Sequence, residues 1–144
     1  MPFSQFANAQ QIEVAVAGPG DVTRLYVCKG LAQGGLGLSV GPQQGLSQTD
    51  IWQFEVGPQL DSTQFRRAIA TVAFAGLSES EQSGGNVSWT ILAVIADFDD
   101  DEGKVRVSVT NQISLYNPAT SAWEWAGLSA LAYDVSILAA VTGP

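Results

Sequence analysis

The stretch "KVRVSVTNQISLY", residues 104–116, decides the fold class. Val105, Val107, Val109, Ile113 and Leu115 share one parity, while Lys104, Arg106, Ser108, Thr110, Gln112 and Ser114 take the other. Side chains of an extended chain alternate between two faces, so this pattern predicts a strand with one dry and one wet side. Asn111 falls on the dry parity. A buried amide there requires a hydrogen-bond partner or a bulge.

Working outward, "VSWTILAVIADF" (87–98) is apolar on both parities, with Trp89, Ile91 and Ile95 on one and Leu92, Val94 and Phe98 on the other. Such a strand is expected to be covered on both sides, by a second sheet and by another subunit or a loop. "LAYDVSILAAV" (131–141) reads in the same way. "QIEVAVAG", "VTRLYVCKG", "TDIWQFEVGP" and "QFRRAIATVAFAG" add four further strand-like runs, and "GPGD" after the first is a turn signal. Six glycines in residues 30–45 make "GLAQGGLGLSVGPQQGLSQ" read as a loop around 30–49, with room for one short strand at "LGLSV". "GLS" recurs at Gly37, Gly45, Gly76 and Gly127, but without a period, so a repeat architecture is set aside. Seven or eight strands without helix signals predict an all-β domain over residues 1–144. The expected form is an antiparallel β-sandwich, jelly-roll or Greek-key-like, with a small barrel as the alternative.

Composition narrows the function. Charged residues make up 14% of the 144 and apolar residues 46%, so the surface must be covered by uncharged polar groups or by another subunit. A homo-oligomer is expected. The net charge of −8, with six Lys and Arg, opposes nucleic-acid binding. The longest apolar run, "ILAVIA", is far too short for a membrane-spanning helix. The start "MPFSQFANAQQ" has neither a basic region nor an apolar one, which reads as a chain made in the cytoplasm without a signal peptide. A virion or an extracellular assembly is then a candidate destination.

Little here suggests catalysis. "GLSVG" around Ser39 matches a nucleophile pattern, but that pattern needs a histidine base and a strand-to-helix turn, and the chain has no histidine. One cysteine, Cys28, permits neither an intrachain disulfide nor a cysteine zinc site. No catalytic residue is assigned.

Two candidate sites remain. "ADFDDDEGK" (96–104) holds five of the fourteen acids, and Asp97, Asp99 and Asp101 have the spacing that opens a calcium loop. Glu102 stands where that loop needs glycine, and Ser108 where it needs a final Glu. The run reads either as a solvated hairpin tip or as a weak calcium site, and otherwise no cofactor is expected. "SAWEWAG" places Trp123 and Trp125 on one side of a strand as a platform for a sugar, with Tyr116 and Asn117 as polar neighbours; the alternative is that both tryptophans are core or interface. Glu124 and Asp134 sit in apolar strands, where a carboxylate is either surface-facing or desolvated.

The patterning of "ILAVIADFDDDEGKVRVSVTNQISLYN…WEW…LAYDVSILAAV" is similar to H-type lectin domains, in which an acidic connector, an "RV" strand and a tryptophan-bearing strand follow one another. The likeness covers about fifty residues and carries over no sugar-binding residue. The expectation is therefore a non-enzymatic, self-associating structural or adhesive component of a larger assembly, such as a tail, decoration or fibre protein. A carbohydrate-binding module, calcium-assisted or not, is the alternative, with a glycan or another assembly subunit as partner. A cofactor-free small-molecule barrel enzyme is third.

Overall fold

The computed structural model describes residues 5–16, 22–80 and 86–141. It is an antiparallel β-sandwich of seven strands: β1 (Gln5–Val16), β2 (Val22–Val40), β3 (Gly45–Val56), β4 (Phe65–Glu79), β5 (Val87–Asp99), β6 (Lys104–Tyr116) and β7 (Glu124–Val141). One sheet runs β1-β2-β7-β4 and the other β3-β6-β5. The sheets end in strand edges and do not close, so the small-barrel alternative is not realised. No described helix is long and apolar enough to cross a membrane. The turn expected at Gly18–Asp21 lies outside the described residues.

β6 is the strand read from the sequence. Val105, Val107, Val109, Asn111, Ile113 and Leu115 are buried, and their intervening neighbours are not. It is the centre of its sheet, paired with β3 on one side and β5 on the other. β7 plays that part in the larger sheet, sending Leu131, Tyr133, Val135, Ile137 and Ala139 inward. The two central strands thus supply the middle of the core, and Trp52 of β3 joins them with no exposed surface.

Two expectations are corrected. The glycine-rich segment around 30–49 is not a loop, because residues 30–40 complete β2 and residues 45–49 open β3, leaving only 41–44 as the connection. Glycine weakens strand propensity, but pairing with β1 and β7 and the inward burial of Ala32, Leu36, Leu38 and Val40 outweigh that loss. Gly34 serves a close approach: a Cβ there would stand 3.0 Å from the Trp52 indole. Gly34 and Gly35 also take up a register shift between Gln33 and Leu36.

β5 is not covered on both faces. Its register shifts between Ile91 and Ala93, so Trp89 and Ile91 turn inward before the shift and Val94, Ala96 and Phe98 after it. One bulge moves a single apolar face from one parity to the other, which made the sequence look apolar throughout. Leu92 and Ile95 are left pointing outward, 53% and 59% exposed.

Candidate functional site

At one end of the sandwich the acidic run forms the β5–β6 hairpin turn. Gly103, at φ +68°, donates its N–H to the Asp99 carbonyl at 2.7 Å, a left-handed conformation suited to glycine. It also lies against the β3–β4 connection, accepting from Leu60 N–H at 2.7 Å; a Cβ there would be 3.0 Å from the Leu60 carbonyl oxygen. The Asp99 carboxylate caps the Asp101 N–H at 3.1 Å and pairs with the Arg106 guanidinium. Arg106 Nε in turn donates to Glu55 Oε1 at 3.0 Å. Asp97 accepts from the Phe98 N–H, at 2.8 Å, and is exposed beside Ile95.

Asp97, Asp99 and Asp101 are therefore not drawn together as a ligand set. Asp99 is engaged by Arg106 and the turn, and no group of three His, Cys, Asp or Glu among the described residues converges on a metal-sized point. What converges is Glu55, Asp99 and Arg106, one residue from each strand of the small sheet. Burial first, and then its hydrogen bond with Asp99, pushes the Glu55 carboxyl above its ordinary value against the pull of Arg106. Burial also works to raise Asp99, but its bonds to Glu55 and to the turn amides, with the Arg106 charge, hold it below the ordinary range. Sequence reading missed this arrangement, because Glu55 is 44 positions from Asp99 and only the β3-β6-β5 order joins them. A polar groove of about 490 Å³ opens beside it, lined in part by Gln53, Ile95, Asp97 and Ser108.

The aromatic candidates are at the other end. Trp123 precedes β7, is 66% exposed and lies beside Gly41. Trp125 is 47% exposed and points outward from the four-stranded sheet opposite Ser39, while Tyr116 points outward from the three-stranded sheet. Trp125 and Tyr116 thus occupy opposite outer faces, and no single surface unites the set. Asn117 is buried between the connections. Its Nδ2 donates to the carbonyls of Val40 at 3.0 Å and Ala122 at 2.7 Å, and its Oδ1 accepts from Ala119 N–H at 2.9 Å. With its backbone N–H bonded to Gln44 at 2.8 Å, it laces the β6–β7 loop to the β2–β3 turn.

The remaining polar candidates separate cleanly. Asp134 faces outward and pairs with Lys29 at 3.4 Å. Glu124 is inside, with Oε2 bonded to the Ser80 hydroxyl. Ser39 is an exposed position of β2 with no helix after it. Asn111 is fully buried, and neither amide atom has a protein hydrogen-bond partner; β6 has no bulge there, and the register shift beside it lies in β5, directly after its partner Ile91, so neither expectation for this amide is met.

Apolar side chains gather on one flank. β4 and β5 are edge strands that lie over one another, with Phe65 stacked on Phe98 at 5.1 Å. Ile69 projects from the outer face of β4 and Leu92 and Ile95 from the outer face of β5, while Leu77, opposite the buried Leu128, is half exposed near the end of β4. Comparison with protein-family models, curated proteins and solved structures returned no match.

Proposed function

We propose that this domain is a self-associating, non-enzymatic component of a larger assembly, with a structural or adhesive role of the tail, decoration or fibre kind. The observation that supports this reading is the β4/β5 flank, where two long edge strands overlie one another and leave Ile69, at 54% exposure, on the outer face of one sheet and Leu92 and Ile95 on the outer face of the other. Unpaired strand edges are templates for association, and the apolar side chains on either side of this one lower the cost of covering it. The low charge content of the chain as a whole, 14%, acts in the same direction. Light scattering tests the reading: a mass above the 15.1 kDa of one chain supports it, and a single-chain mass at all concentrations opposes it.

Carbohydrate binding at Trp123 and Trp125 is the second reading, supported by the exposure of both indoles. Its test is a glycan array with Trp125→Ala as the control; a blank array for the parent protein removes it. The reading as a barrel enzyme loses its scaffold, because the sheets do not close.

A further inference from the structure

We propose that the outward face of the three-stranded sheet, where β3 begins and β6 ends, is a binding site for a neutral pyranose sugar, with Tyr116 as the stacking ring and Ser47, Ser88 and Ser114 as hydroxyl partners. The register builds this site. Gly45 is opposite Tyr116, and in the next row Ser47, Ser114 and Ser88 lie side by side across all three strands. Because Gly45 has no side chain, the tyrosine ring leans across it; a Cβ there would be 3.4 Å from Tyr116 Cδ2. The ring stays half exposed, and the bond from Tyr116 N–H to the Asn86 carbonyl, 3.1 Å, holds its strand end in place. Ring and serines, with Leu46, Val87 and Leu115, line a shallow, open depression of about 410 Å³.

The chemistry selects the ligand. Ser47 Oγ and Ser114 Oγ are 2.7 Å apart, so one donates to the other while the row keeps donors and acceptors facing outward. Sugar hydroxyls also donate and accept, and a pyranose offers a C–H face to an aromatic ring. The following row continues the uncharged pattern with Thr49, Gln112 and Thr90, whereas Glu55, Arg106 and Asp97 share a row near the far end of the strands. The uncharged patch supplies no carboxylate to hold a cation, and the net charge of −8 disfavours phosphates. This site is separate from the Trp123/Trp125 reading and independent of self-association.

The test is titration of the full chain with the methyl glycosides of glucose, galactose and mannose, followed by saturation-transfer NMR. The expected result is saturable binding of at least one glycoside, weakened about tenfold or more in both Tyr116→Leu and Ser88→Val and unchanged in Trp125→Ala. Melting curves check that each variant is folded, and Ser88→Val decides alone if Tyr116→Leu is not. No saturable response to any of the three, retention of affinity in a folded Tyr116→Leu or Ser88→Val, or loss in Trp125→Ala would overturn the site. The last outcome would move the sugar to the tryptophan face.

Discussion

Asn117→Ala is expected to lower the melting temperature by about 10 °C while leaving the secondary structure of the folded state intact. The side chain makes three hydrogen bonds, to Val40, Ala122 and Ala119, from a position without exposed surface. At about 1 kcal/mol net for each bond, truncation costs roughly 3 kcal/mol, since the stranded carbonyls and N–H are only partly reached by water. A domain of this size loses about 3–4 °C per kcal/mol. Asn117→Asp separates the hydrogen bonds from mere volume: the acceptor to Ala119 is kept, but two carbonyls now face an oxygen in place of an N–H. Its loss should exceed that of Asn117→Ala near neutral pH and shrink in acid, where a protonated carboxyl can donate one bond. Circular dichroism melts at neutral and acid pH measure both effects. A change under about 2 °C in Asn117→Ala, or a pH-independent Asn117→Asp, would refute the view that this amide latches two loops together.

Other outcomes follow from the same geometry. Asp99, held below its ordinary value, stabilises the fold above the usual carboxylate range and loses that contribution as pH falls through its lowered pKa; Asp99→Asn should lower the melting temperature near neutrality, with the gap closing as pH falls through that lowered pKa. Glu55 has the opposite sign: its raised pKa favours folding in acid, and the benefit fades as pH rises through that pKa, so Glu55→Gln should melt higher than the parent above that raised pKa and lose the advantage below the ordinary carboxylate range. Gly57→Ala places a Cβ 2.4 Å from Ile137 Cδ1 at φ +88°, and denaturant melts should show a loss of about 2–4 kcal/mol. In an associated state, Ile95→Lys replaces an apolar side chain of the contact by a charged one, and sedimentation should show association weakened a hundredfold or more.

The central strand was the most legible element because alternation reports its own packing. Val105 to Leu115 specify a face, and the structure buries that face from Lys104–Tyr116, the limits read from the sequence. Two features hid the rest. In β5 a bulge between Ile91 and Ala93 exchanges the faces, and periodicity cannot distinguish one shifted apolar face from two unshifted ones. In β2 the glycines carry no side-chain signal, so the long-range pairing with β7 that makes residues 30–40 a strand leaves no local trace. The candidate sites show the same division. The hairpin turn at Gly103 was legible because a turn is local, whereas Glu55–Arg106–Asp99 exists only through strand order. Asn117 was noticed as a polar neighbour of Tyr116, yet its position inside, with every amide atom bonded, depends on loops far apart in sequence.

Self-association through the β4/β5 flank is tested most directly by sedimentation equilibrium of the parent chain beside the Ile69→Lys/Ile95→Lys double variant. The expected result is a parent mass that is a whole multiple of 15.1 kDa and a double variant that sediments as one chain with an unchanged circular dichroism spectrum. A parent that remains at 15.1 kDa across the concentration range, or a double variant with the parent's associated mass, would contradict it.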